Sequence, residues 1–125
     1  MTRDVKRLPD AELAVMQALW ACQTPAGRSD LEGVLQSTHP MAATTLLTLL
    51  SRLADKGFVR SEKLGRSARY TPLVSQEDYL AGQSRRFLDQ LCGGSLSTFA
   101  NALCSSGLTR QELDELRDLL NGGKL

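Results

Sequence analysis

"TTLLTLLSRLADKG", Thr44 to Gly57, carries five leucines in fourteen residues and closes on a lysine and a glycine. On a helical wheel Leu46, Leu49, Leu50 and Leu53 fall on one narrow face, while Thr44, Thr48, Ser51 and Asp55 point the opposite way. Thr45 and Arg52 flank the polar face. The leucines read as a core stripe. The threonines need a further reason, because threonine is a mediocre helix former and three stand in the first two turns. They serve either local capping or a surface chosen for a partner. Pro40 lies just before this helix and Gly57 suits a C′ position, so the predicted bounds are about Met41 and Lys56.

Upstream, "LPDAELAVMQALWAC" (8–22) has Leu13, Met16, Leu19 and Trp20 at spacings of three and four, with Asp10 as the expected N-cap. "QTPAG" (23–27) breaks that helix. "SDLEGVLQ" (29–36) begins a second one, with Ser29 and Glu32 at capping-box spacing and Leu31, Val34 and Leu35 as its apolar face. "STHP" (37–40) is a turn. Downstream of Gly57 the period changes: "FVRSEKL" (58–64) and "ARYTPL" (68–73) read as short strands joined by "GRS" (65–67). Three helices followed by a hairpin is the layout of a winged helix-turn-helix, whose third helix enters the DNA major groove while the hairpin lies along the backbone or minor groove.

The rest of the chain is helical and leucine-rich. "SQED" (75–78) is an N-cap pattern, followed by a helix to about Leu91 with Tyr79, Leu80, Phe87, Leu88 and Leu91 apolar; "CGGS" (92–95) stops it. "LSTFANAL" (96–103) comes next. Thr109 and Glu112 then form a capping box ahead of Leu113, Leu116, Leu119 and Leu120, and "NGGKL" (121–125) reads as a fraying end. About fifty residues of helix hide too little surface to cover such faces unaided. The cover is either the same segment of a second chain, as in a symmetric dimer, or the first half of the same chain. The expected division is therefore a winged-helix DNA-binding domain over residues 1–74 and a helical dimerisation domain over 75–125. The overall class is mainly α with a small β-hairpin. The expected dimerisation residues are Phe87, Leu88, Leu91, Leu96, Phe99, Leu103, Leu113, Leu116 and Leu120.

Charge supports this division. The 125 residues carry a net charge of only +1, but residues 1–74 hold ten Lys/Arg against seven Asp/Glu, and the densest basic run lies between Arg52 and Arg69. A local basic patch on a near-neutral chain is either a solvated face or a polyanion contact. Threonine can hydrogen-bond a base edge or phosphate and touch a thymine methyl, and arginine pairs with guanine or clamps a phosphate. Thr44, Thr45 and Thr48 stand where such a helix meets bases. Arg52, two turns in, suits a phosphate or an ion pair with Asp55. On the wing, Lys63, Arg66 and Arg69 are the candidate contacts, with Arg66 at the tip. Arg60 and Lys63 equally suit edge-strand charges that block sheet pairing.

Other chemistries find little support. Paired carboxylates, an activated nucleophile, a phosphate-cradling loop and metal-ligand spacing are all missing from the pattern, so an enzyme is not expected, nor any cofactor. Three cysteines, Cys22, Cys92 and Cys104, are widely separated and read as ordinary reduced thiols. With neither a signal-type h-region nor a membrane-length apolar run, a cytoplasmic protein is expected.

Three segments carry a resemblance. "LPDAELAVMQALW" (8–20), "TLLTLLSRLADKGFV" (45–59) and "GRSARYTPLVSQEDY" (65–79) resemble the penicillinase-repressor family of bacterial transcription factors, the BlaI/MecI type, and "LTRQELDELRDLL" (108–120) is similar to the family's final helix. The resemblance implies a homodimer on a palindromic operator, with promoters of resistance genes among its targets. It also implies inactivation by a cut in the C-terminal half, triggered by a membrane-bound protease that senses β-lactams. The staphylococcal cut, at an Asn-Phe bond, aligns with Asn101 and Ala102, with Phe99 just upstream. Thr44 departs from the lysine that many members carry there. The copper-responsive branch ends in C-x-C motifs that this chain lacks. The expected function is thus a homodimeric, cofactor-free repressor; the alternative is a winged-helix module that binds protein through the same helix.

Overall fold

The computed structural model describes residues 7–122. Along them run α1 (Asp10–Ala21), α2 (Arg28–Thr38), α3 (Ala43–Asp55), β1 (Val59–Leu64), β2 (Ser67–Pro72), α4 (Gln76–Arg86), α5 (Leu96–Ser105) and α6 (Arg110–Asn121), with a single π-type turn, Phe87–Leu91, prolonging α4. The expected fraying end falls partly outside the described residues.

The first three helices meet through their apolar stripes. Val15, Met16 and Leu19 of α1, Leu31 and Leu35 of α2, and Leu46, Leu50 and Leu53 of α3 are essentially fully buried, as the leucine spacing requires. Each such side chain contributes about 1.5–3 kcal/mol relative to exposure. Glu12 is buried with them, and Lys56, just past α3, reaches it at 2.5 Å, joining α1 to the end of α3.

The ends of these helices differ in part from expectation. Asp10 is the first helical residue rather than the cap; Pro9 occupies the cap position and its carbonyl accepts the Leu13 N–H at 2.9 Å. Asp10 instead places a carboxylate in the first turn, where the helix dipole favours it. The Ser29/Glu32 capping box does not form. The helix starts two residues earlier than a Ser29 cap would place it, at Arg28, so Gly27 is the cap and Asp30 takes the N3 place, its carboxylate accepting the Gly27 N–H at 2.9 Å. Glu32 pairs with Arg28 at 3.3 Å. At α3 the stop is as expected: Gly57 has φ +81°, its N–H bonds the Ala54 carbonyl, and the Phe58 N–H bonds the Leu53 carbonyl at 2.9 Å. That is a Schellman closure, with buried Leu53 and Phe58 making its apolar contact.

β1 and β2 pair antiparallel with Val59 opposite Pro72 and Leu64 opposite Ser67. Only Gly65 and Arg66 lie between the strands, and Gly65 alone takes a positive φ, +66°, the pattern of a type II′ hairpin turn. Ala26 adds a bridge on the other side of β2, exchanging hydrogen bonds with Tyr70 at 2.8 and 3.0 Å.

By compactness the chain divides after Gln83, later than the expected boundary at residue 74. Tyr79 is the reason. Its ring is buried against Trp20 (centroids 5.9 Å apart) and Phe58 (6.1 Å), and its hydroxyl accepts the Leu8 N–H at 2.9 Å. Ser75 caps α4 as expected, its Oγ accepting the Asp78 N–H, and the Trp20 indole N–H donates to the Val74 carbonyl at 3.0 Å. The first turns of α4 are thus part of the winged-helix core.

The second unit, from Ser84 on, has well-formed helix starts. Ser95 Oγ accepts the Thr98 N–H, and Thr109 and Glu112 make the reciprocal capping box expected of them. Its packing is sparse. Among the described residues of this unit Cys92 is the one buried side chain, and Phe87 meets Phe99 edge-to-face at 5.3 Å. Burial pushes the Cys22 thiol in the first unit up, and the charge of Asp30 adds to the shift.

Candidate nucleic-acid interface

The site is built from α3 and the hairpin. Because the leucine stripe commits one side of α3 to the core, the opposite side is held outward. Thr44, Thr48, Ser51 and Asp55 are all exposed there, and Thr45 and Arg52 are exposed on the flank. Arg52 makes no ion pair with Asp55 or any other described residue. Its guanidinium is available for an anion. Thr48 is partly committed: its hydroxyl donates to the Thr44 carbonyl at 3.0 Å. Its oxygen can still accept a hydrogen bond, but its proton is engaged.

The wing sorts its cations. Arg66 sits at the hairpin tip and Lys63 opposite Ala68, both exposed and unpaired among the described residues. Arg60 pairs with Glu62 along the strand at 2.9 Å. Arg69 is placed differently from Lys63 and Arg66: it is half-buried, lies opposite Glu62, and comes within 3.8 Å of Asp30 on α2. Asp30 is the carboxylate beside it, while Glu62, opposite it in the hairpin, is paired with Arg60. The strand pattern alone cannot reveal this, because Asp30 is far away in sequence and α2 begins two residues earlier than its letters suggest.

Leu47 is the residue that sequence reasoning missed. It is 41% exposed, in contrast to the four leucines of the stripe. The wheel held the signal: Leu47 borders the Thr44 and Ser51 row on the side away from Thr45 and Arg52. Its identity, one leucine among five, concealed it.

In the second unit the expected dimerisation residues are largely uncovered. Leu91 and Leu96 are nearly three-quarters exposed and Leu120 more than half; Phe87 is exposed, and Leu88, Phe99, Leu103, Leu113 and Leu116 are half-buried. Leu119 is exposed like Leu120. Asn101 and Ala102 lie exposed in the middle of α5, with Phe99 shortly before them.

The sequence model of the family described as penicillinase repressor matches residues 8–122, nearly the whole chain. The chain belongs to the penicillinase-repressor family. Among its relatives, the penicillinase repressor of Bacillus licheniformis is 30% identical over 98% of this chain and 95% of its own length. The methicillin resistance regulatory protein MecI of Staphylococcus aureus is 28% identical over 97% of this chain and 98% of its own. A solved structure, that of the Bacillus licheniformis BlaI monomeric form in complex with the blaP half-operator, is similar with a TM-score of 0.51 and 32% identity; the match covers 63% of this chain and 94% of that one. The likeness supports the winged-helix fold read from the elements. Penicillinase repressors are transcriptional regulators, and this chain is not an enzyme. No helix among the described residues is long and apolar enough to cross a membrane.

Proposed function

We propose that this penicillinase-repressor family member is a DNA-binding repressor that acts as a homodimer on a palindromic operator, with promoters of β-lactam-resistance genes as its targets. The observation that carries the DNA reading is the outward face of α3: Thr44, Thr45 and Thr48 in its first turns, with Arg52 beside them, unpaired among the described residues. α3 lies in the major groove, where the threonines meet base edges and Arg52 a phosphate. Arg66 and Lys63 follow the backbone or minor groove from the wing. The uncovered leucines of the second unit support the dimer, since a second copy offers the same face for burial.

The dimer supplies affinity by holding two half-sites at once. A cut at Asn101–Ala102 inside α5 separates the reading units from the face that joins them, and repression ends. That bond is helical in the intact protein, so α5 must open locally before a protease holds it extended. A membrane sensor protease is the proposed trigger.

Salt tests this reading. Affinity for a palindromic duplex is expected to fall steeply as salt rises, because bound Lys and Arg release counterions. Arg66→Ala should weaken all sequences alike and reduce the salt slope by about one, while Thr48→Ala should change which sequences are preferred. Sub-micromolar binding indifferent to salt and to both changes would favour a protein-binding module instead. A monomer by sedimentation, at concentrations on the order of tens of micromolar, would refute the dimer.

A further inference from the structure

We infer that Leu47 is a specificity-determining residue that reads the 5-methyl group of thymine. The inference rests on the DNA-reading role proposed above for α3 and assigns part of its sequence preference. Four leucines of α3 are at most 6% exposed, and the fifth stands 41% exposed on the outer side. It is the fifth residue of the helix, within the N-terminal turns that meet base edges in a helix-turn-helix. Along its row stand Thr44 one turn before and Ser51 one turn after, both exposed and both shorter than leucine. Leu47 is therefore the longest side chain of that row and projects beyond its neighbours.

Chemistry limits what such a side chain can meet. Leucine forms no hydrogen bond, so set against guanine N7 and O6 or adenine N7 and N6 it strips water from polar atoms and returns nothing. In the major groove the one apolar group offered by the bases is the thymine methyl. Thr48 narrows the choice further. Its hydroxyl proton is engaged by the Thr44 carbonyl, so Thr48 itself presents a methyl and an acceptor rather than a free donor. A base pair with thymine facing Leu47 suits that surface.

The test removes the methyl and nothing else. A duplex is first selected by the intact protein from a random-sequence pool, then resynthesised with deoxyuracil replacing thymine one position at a time. At one thymine per half-site the change should weaken binding about three- to fivefold, the worth of one buried methyl. Leu47→Ala should bind the thymine and deoxyuracil duplexes equally. Leu47→Gln should move the preference at that position from thymine towards adenine, whose N6 and N7 glutamine can pair. Both variants should melt as the wild type does, because the replaced side chain lies outside the core. Tight, salt-sensitive binding with deoxyuracil harmless at every position would overturn the role of Leu47 and leave DNA reading intact. A pool that yields no enriched duplex would overturn both.

Discussion

α3 and α6 are built alike, each with leucines at helical spacing, yet they end in different surroundings. Leu46, Leu49, Leu50 and Leu53 of α3 are at most 6% exposed, whereas Leu119 and Leu120 of α6 are 52% and 57% exposed. The difference does not lie in the stripes. Around α3 the chain supplies α1, α2, the hairpin and the start of α4, enough elements to close a core on all sides. The second unit supplies the end of α4, a π-type turn and two short helices. A leucine stripe states a demand for cover, and the number of neighbouring elements decides whether one chain meets it.

Three substitutions probe that contrast. The largest effect is expected from Leu116→Lys in α6: a buried cation at the proposed dimer face should yield monomers in sedimentation and lower operator affinity by about 10²–10⁴-fold, the avidity of two linked half-sites. Unfolding of the first unit should stay where it was. A dimer that survives the lysine would place the contact elsewhere. Leu50→Ala in α3 should do the reverse, lowering the unfolding free energy of the first unit by about 2–5 kcal/mol, read from denaturant titration. The association of the protein that remains folded should not change. The smallest effect is expected at the caps. Thr109→Ala removes the acceptor for the Glu112 N–H and should cost about 1 kcal/mol. Because α6 belongs to the second unit, the loss should appear as easier dimer dissociation. If it appears instead as a lower melting point of the winged helix, the two units unfold together.

Elements with strong local chemistry were readable from the letters. The leucine period of α3, Gly57 as its stop, the tight hairpin link begun by Gly65, though expected to run through Ser67, and the caps at Ser75 and Thr109 all depend on residues close together in the chain. Where reading failed, the deciding partner was remote or a neighbouring residue competed. Asp30, rather than Ser29, became the capping side chain once α2 began at Arg28. The approach of Arg69 to Asp30 joins residues far apart in the chain and has no local signal. Residue 74 looked like a boundary because a cap pattern follows it, but Tyr79 ties the next turns to Trp20, Phe58 and Leu8.

The candidate interface shows the same split. The polar face of α3 was legible because the leucines fix which side turns outward. Leu47 was not, since its letter matches the core and only its angle does not.

The sequence by itself determined where helices and strands form and which side of each seeks burial, because period, caps and turn residues act over a few bonds. Tertiary structure alone decided which demands were met. Burial and ion pairing depend on what the rest of the chain places within a few ångströms, and that is why Leu53 is sealed while Leu47 of α3 and Leu119 and Leu120 of α6 stay exposed.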